Sequence, residues 1–407
     1  MREEFGRGWR ALIGCAAGNA FGLSGLAFYT FGVFVVPLVN AFGWSRGEVA
    51  SAASFLLVGT AITAPIVGTV IDRFGAKKVG LASMFALSLG YLLLTQLGGH
   101  VAYFYAMWLG MSLIGGGTTP VVWTRAVNLW FDKGRGLALG LCLAGSGIAG
   151  IVGPPITTAA IASWGWQGGY VAVAGMMVVL ALPIIGLLFD DRGPTAKNSV
   201  AGGARAAPGR PGYDFQESFR SVTYWKIAIG FFFIAAIIAG LIINLVALLT
   251  DRGMSAMRAA QIAGVMGIAV VIGRVGIGAL VDRFHAPAVS LALFLATAVG
   301  CLLLAIPNAP EWVAMIAVGS LGFAAAAEID LVAYLTSRYF GMKAYGRIYG
   351  SQLTVFYAGA ALGPFAVGMM YDAFGNYLPS LYAAGVIFVF GAFVIGSLGK
   401  PPEFEEI

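Results

Sequence analysis

Long apolar runs, separated by short clusters of charge, glycine and proline, set the pattern of this chain. Stretches of about 20 residues suffice to cross roughly 30 Å of hydrocarbon as a helix. Such stretches occur at 10–39, 47–71, 79–99, 101–127, 136–163, 167–189, 222–249, 257–281, 287–307, 311–337, 345–371 and 377–398. The pattern therefore predicts an all-α polytopic membrane protein with twelve transmembrane helices. Residues 190–221, DDRGPTAKNSVAGGARAAPGRPGYDFQESFRS, interrupt it with Gly, Ala, Pro and charge. They read as a linker between an N-terminal six-helix bundle, 1–189, and a C-terminal one, 222–407.

Composition agrees with a lipid solvent. Of 407 residues only 10 % are charged and 59 % are hydrophobic, against roughly a quarter charged in soluble domains; mean hydropathy is +0.87. Soluble, disordered and collagen-like chains are excluded on these numbers. The net charge of +6 raises the question of nucleic acid, and the placement of the charges answers it. With an even number of spans both termini share a side. All but four of the 24 lysines and arginines fall on that side; Arg46, Arg252 and Arg258 lie opposite, and Arg274 lies deep in a span. This bias puts both termini in the cytoplasm of a cell whose inner membrane the chain would span. The basic residues are spread over separate loops and form no groove for a phosphate backbone, so no nucleic-acid partner is expected.

The N-terminus, MREEFGRGWRALIG, runs into apolar sequence well past the length of a signal core and reads as a retained first span. Cys15, Cys142 and Cys301 sit in separate apolar stretches; they make no disulfide framework and no metal spacing and read as small buried hydrophobes.

The two halves echo each other. GTVIDRF at Gly68–Phe74 matches GALVDRF at Gly278–Phe284, an offset of 210. The same offset pairs Gly43 and Ser45 with Gly253 and Ser255, Lys133 with Lys343, Gly140 with Gly350, Gly153-Pro154 with Gly363-Pro364, and Gly165 with Gly375. Agreement at one offset across separated places argues for an internal repeat. An even number of spans per copy makes the repeats parallel, related by an axis along the membrane normal.

Twelve spans in two parallel halves, with Gly68–Lys78 (GTVIDRFGAKK) after the second span and its echo at Gly278–Phe284, resemble the major facilitator superfamily and its loop 2–3 signature. The Gly-rich fifth span, Gly140–Pro155, is similar to the pattern of many members. FGVFVVPLVNAFGWSRGEVA, residues 31–50, and a lone arginine in the eighth span resemble the monocarboxylate porter and oxalate/formate antiporter branch. The departures are informative. Animal monocarboxylate porters carry a lysine in the first span and an aspartate one turn before the eighth-span arginine. Here the first span has no lysine after Arg10, and the position four before Arg274 is Val270. The oxalate antiporter pairs its arginine with a lysine in the eleventh span, whereas residues 345–371 hold only Arg347, at one end. A two-cation dicarboxylate site is not supported.

Arg274 lies about 8 residues, roughly 12 Å of helix, from the end marked by Asp282. An arginine at that depth costs about 2.5–3.5 kcal/mol even on the lenient insertion scale, so it faces a wet cavity or a partner. It either pairs with a buried carboxylate or clamps a substrate carboxylate through its planar fork. Glu328 and Asp330 are the other deep charges. At about 100° per residue they diverge by roughly 200°, so one lines the path while the other meets a neighbouring helix or reaches Tyr334 and Arg338. A buried carboxyl there either couples protons to transport or forms a structural salt bridge. Their mates in the first half, Ala64, Thr118 and Pro120, are uncharged.

Tyr29, Trp123, Asn244, Gln352 and Tyr357 place polar edges at mid-span depth in spans one, four, seven and eleven, which line the cavity in this superfamily. They are candidate substrate contacts, with helix bridging as the alternative. Arg125, near the end of span four, either snorkels or pairs with a loop acid. By the resemblance, Asp72 and Arg73 with Asp282 and Arg283 belong to the gate that closes the cytoplasmic side. Gly145–Gly150 matches GxGxxG inside an apolar span with neither a strand before it nor an acid after it, so no nucleotide site is read there.

These residues point to a secondary transporter of small organic anions, a monocarboxylate:proton symporter working by alternating access, with the carboxylate on Arg274. An organic anion exchanger of the oxalate/formate kind, or an exporter of larger aromatic acids or drugs, is the competing expectation. An enzyme is not expected: both histidines, His100 and His285, are in loops, and HExxH, GxSxG and GxxxxGK[ST] are absent from the sequence. No cofactor or metal is implied. The expected partners are a small carboxylate, a proton and the lipid bilayer, and the chain is expected to work as a monomer.

Overall fold

The computed structural model describes residues 2–131, 134–191, 212–341 and 343–402, and helices fill nearly all of them. The first span, α1, runs over residues 2–42 in pieces: Arg2–Phe21, a π-turn at Leu23–Ala27, then Phe28–Phe31 and Val35–Phe42. It is followed by α2 (Arg46–Phe74), α3 (Ala76–Leu94) and α4, whose parts Val101–Ile114 and Pro120–Trp130 meet at a 3-10 turn, Gly115–Thr118. Residues 135–188 carry α5 and α6, separated by the non-helical pair Trp164 and Gly165. The second half holds α7 (Val222–Asp251), α8 (Ala256–Arg283), α9 (Ala286–Ala305), α10 (Glu311–Phe340), α11 (Tyr345–Phe374) and α12 (Leu378–Gly396). A short amphipathic helix, Phe215–Arg220, leads into α7. The rest of the expected linker, 192–211, lies outside the described residues.

Nine segments among the described residues are long and apolar enough to cross a membrane by length and composition. One of them, Leu137–Leu188, contains the Trp164-Gly165 break and is two helices. With α2 and the two-part α4 the described residues supply the twelve passes. Three spans differ from the unbroken helices read from hydropathy, α6 by a π-turn at Met177–Ala181. In α4, Thr119 is extended (ψ 161°) ahead of Pro120, as the clash of a proline ring with the preceding residue dictates. In α1 the π-turn inserts an extra residue beside Gly22 and Gly25, where no Cβ opposes the wider backbone.

The repeat reappears as paired local geometry. Gly43 (φ 71°) and Gly253 (φ 86°) both turn the chain in the left-handed region, as do Gly165 and Gly375 (φ 71° each). A side chain there costs about 1–2 kcal/mol, which explains why glycine stands at both copies. Ser45 and Ser255 each cap the next helix: the Glu48 N–H donates to Ser45 Oγ at 3.1 Å and the Arg258 N–H to Ser255 Oγ at 3.3 Å. Serine at this position leaves fewer orphan donors at the helix start.

The halves meet through equivalent helices. Along the interface α2 packs on α11 and α5 on α8, each the same crossing seen from the other repeat. Small residues make the approach possible: a Cβ added at Gly147 of α5 would stand 2.6 Å from the carbonyl oxygen of Gly267 in α8, and one at Gly368 of α11 would stand 2.6 Å from Cα of Gly47 in α2. Within the helices, hydroxyls that would be stranded in lipid donate to carbonyls one turn back, as Thr30 does to Leu26 (2.7 Å) and Thr60 to Leu56 (2.8 Å). Cys15, Cys142 and Cys301 are buried and unbridged.

Candidate functional site

Where α1, α2, α4, α5, α7, α8, α10 and α11 converge, a cavity of about 140 Å³ lies between the halves. An apolar cavity of about 150 Å³ takes a benzene-sized guest, so the space suits a molecule of a few carbons. Its walls are mainly aliphatic, with an aromatic pair from each half: Phe28 with Tyr29 on α1, and Phe356 with Tyr357 on α11, each pair edge-to-face at 5.6 and 5.4 Å between centroids. The polar wall groups include Asn19, Ser24, Thr60, Ser146, Arg274 and Glu328.

Arg274 enters the cavity from α8. Its side chain is 13 % exposed, its Nη1 lies 3.6 Å from Asp330 Oδ2, and its Nε is buried without a hydrogen-bond partner. At 3.6 Å the Asp330 contact is an ion pair without a hydrogen bond. Part of the guanidinium fork is therefore unspent. Glu328 is on the cavity wall, and its Oε2 also lacks a partner. Asp330, two residues on, does not line the cavity and is 47 % exposed. The two carboxyls take the divergent directions helical geometry requires, but Asp330 turns to Arg274 and not to Tyr334 or Arg338. The Tyr334 hydroxyl instead donates to the Val281 carbonyl at 3.0 Å, and Arg338 lies over the Tyr334 ring.

Of the candidate substrate contacts, Tyr29 and Tyr357 line the cavity with Arg274. Three others lie outside this cavity and make the contacts within the protein that were the alternative reading. Trp123 is fully buried in the first half, its indole donating to the Thr118 carbonyl (3.0 Å) and lying against Gly18, Gly80 and Phe189. It braces the break in α4. Gln352 accepts from Thr336 Oγ1 at 2.7 Å and ties α11 to α10. Asn244 donates to Gly240 O (2.9 Å) and accepts from the Tyr377 hydroxyl (3.2 Å). Trp123 and Asn244 satisfy their polar edges within the protein, the outcome favoured where no water competes; Gln352 pairs its oxygen while its buried amide nitrogen has no partner among the described residues.

Asn244 belongs to a second cluster, at the face opposite the termini. Arg46, the first residue of α2, makes a bidentate pair with Asp251 at the end of α7, both N–O distances being 2.7 Å. Its guanidinium also stacks 4.0 Å from the Tyr371 ring centroid and donates to the Tyr377 hydroxyl at 3.3 Å. The Tyr377 hydroxyl in turn donates to Asn244 Oδ1. The next residue, Gly47, donates its N–H to Asp372 Oδ2 at 2.9 Å, placing a carboxylate from the second half on the positive end of α2. One dipeptide of the first half thus holds two carboxylates of the second. Hydropathy offered no sign of this cluster, because Arg46 reads as an ordinary loop charge.

The side chains of Asp72 and Asp282 lie outside the described residues. Arg73 and Arg283 are exposed at the ends of α2 and α8, Arg73 lying over the Phe74 ring, and Arg125 is exposed on α4. Asn19, Ser24, Phe28, Thr60, Ser146 and Phe356 were not singled out from the sequence. The depth argument applied to Tyr29 would have found Asn19.

A profile of the Major Facilitator Superfamily matches residues 18–364. The chain belongs to the major facilitator superfamily. It is 26 % identical over 403 residues to Monocarboxylate transporter 13 of Bos taurus, covering 97 % of this chain and 89 % of that protein. It is also 26 % identical over 363 residues to the uncharacterized MFS-type transporter YhjX of Escherichia coli (strain K12), covering 87 % and 85 %. Among solved structures it resembles a bacterial homologue of the human lysosomal transporter Spinster in an inward-facing, unoccupied conformation, with TM-score 0.68, 19 % identity, and 95 % and 96 % of the chains covered. That likeness concerns the fold. The fold is the major facilitator one, two pseudo-symmetric six-helix bundles, and membership of the superfamily makes this chain a multi-pass membrane transporter of small molecules and not an enzyme.

Proposed function

We propose that the chain carries small organic monocarboxylates together with protons by alternating access, with the carboxylate on the free edge of Arg274. The observation that carries this reading is the charge inventory of the cavity. Arg274 pairs with Asp330 at 3.6 Å just outside the cavity, Glu328 stands on the cavity wall with Oε2 unpartnered, and the guanidinium keeps a buried Nε unpartnered. A substrate anion arriving beside both ionised carboxyls would add a third negative charge to one positive. At an effective dielectric near 20 two like charges 4 Å apart repel by about 4 kcal/mol. Protonation of one carboxyl on substrate arrival relieves that repulsion, which couples proton to anion. The likeness to proteins named as monocarboxylate transporters supports the substrate class.

In this reading the termini lie in the cytoplasm of a cell whose inner membrane the chain spans, on the topology set by its basic loops. The bundles are residues 1–189 and 222–407, joined by 190–221, and one copy suffices for transport. The Arg46 cluster then closes the outer side while substrate meets the cavity from the cytoplasm, and Asp72, Arg73, Asp282 and Arg283 close the inner side in the alternate state. Uptake of labelled lactate or pyruvate into proteoliposomes, with and without an imposed inward-acid gradient, tests the proposal. Uptake accelerated by the gradient is expected. Uptake indifferent to pH but dependent on internal anion would replace symport by exchange.

A further inference from the structure

The first helix contributes a feature to the cavity that carboxylate binding alone does not use. Asn19 is part of the cavity wall yet only 1 % exposed. Its amide nitrogen donates to the Leu143 carbonyl at 3.1 Å and to the Cys142 carbonyl at 3.4 Å. Backbone carbonyls only accept, so these two contacts fix the amide orientation. The amide oxygen is left as an acceptor, and it has no partner among the described residues. A buried acceptor without a donor is rare in a folded protein and costly in a dry one.

Two further observations point to a ligand as the missing donor. The π-turn at Leu23–Ala27 begins four residues after Asn19, and such turns concentrate at functional sites. It rephases α1 so that Asn19, Leu23, Ser24, Phe28 and Tyr29 all reach the same cavity, a spread that no straight α-helix presents to one narrow space. Arg274 enters the same cavity from the other half, so one small molecule can offer its carboxylate to Arg274 and a donor to Asn19.

We propose that Asn19 is a specificity residue whose amide oxygen accepts a hydrogen bond from a hydroxyl on the substrate, so that the transporter favours hydroxylated monocarboxylates over keto acids of the same size. This rests on the carboxylate reading above. A keto oxygen brings an acceptor to an acceptor and leaves Asn19 unpaired. Sites built to bond a substrate hydroxyl reject analogues without it strongly, and a single neutral hydrogen bond gives about tenfold.

The test uses the full chain in proteoliposomes and reads competition in size-matched pairs: 3-hydroxybutyrate against acetoacetate, and lactate against pyruvate. The hydroxy acid is expected to compete about tenfold better in each pair. Asn19→Leu keeps the volume and removes the acceptor, together with the donor to the Leu143 and Cys142 carbonyls; it is expected to bring the ratio close to one. Should Asn19→Leu fail to accumulate in the membrane, Asn19→Ala, which also carries no side-chain acceptor, reads the same ratio, and a drop toward one again supports the proposal. Equal competition in the wild type, or a preference that survives both substitutions, overturns it while leaving the carboxylate reading intact. Alanine competing better than lactate overturns it too, because the spare acceptors would then serve an ammonium group. Uptake of no member of either pair removes the carboxylate reading, and this inference with it.

Discussion

Replacing Arg46 should shift the balance between closed and open states at the face opposite the termini. Both of its N–O contacts to Asp251 are 2.7 Å, and hydrogen bonds to charged groups contribute about 1.5–3 kcal/mol. Asp251 is 31 % exposed while Arg46 is 13 % exposed, so solvent screening trims the pair to about 1–2 kcal/mol. At 1.4 kcal/mol per factor of ten, Arg46→Ala should raise the open-to-closed ratio at that face about 5- to 30-fold. Spin labels at Gly98→Cys and Ala309→Cys would report the separation of the two halves, and the buried native cysteines would stay unlabelled. A longer-distance population should grow in Arg46→Ala and in Asp251→Ala. The double variant should add little, because either change alone breaks the same pair. Unchanged distances in Arg46→Ala, or fully additive effects, would refute the assignment of this cluster as a gate tie.

Other outcomes follow from the cavity and the crossings. Arg274→Lys keeps the charge and loses the planar fork; transport affinity for a monocarboxylate should fall about tenfold in a competition assay. Glu328→Gln, on the cavity wall, should flatten the pH dependence of uptake more than Asp330→Asn; if neither changes it, proton coupling lies elsewhere. Gly267→Val places side-chain carbons against the Gly147 carbonyl and the Ile151 nitrogen, so it should force α5 and α8 apart and abolish uptake while the protein still reaches the membrane. Trp123→Phe should cost about 1–3 kcal/mol of stability, seen as a lower Tm in detergent, by leaving the buried Thr118 carbonyl without its donor; a lower affinity at unchanged Tm would return Trp123 to the substrate site.

The alternation of apolar run and charged punctuation was enough to read twelve spans; the echo of GTVIDRF in GALVDRF added their pairing at an offset of 210 and, by resemblance, a superfamily. Those properties come from the local match between segment length and bilayer thickness and from turn chemistry, as at Gly43 and Gly253. The sequence also singled out Arg274, Glu328 and Asp330, because charge is so scarce within the spans that each deep one stands alone. Which polar residues face the cavity depended on helix phase and partner, and neither is local. Tyr29 and Asn244 look alike by depth and chemistry, yet the π-turn in α1 brings Tyr29 to the cavity, whereas Tyr377, 133 residues away, draws Asn244 into the outer cluster. Trp123 found a partner at the break in its own span and the Gln352 oxygen one in a neighbouring helix, because an unpaired polar edge is costly where water is absent. Arg46 and Asp251 are unremarkable loop charges until the two halves fold together and bring them within 2.7 Å.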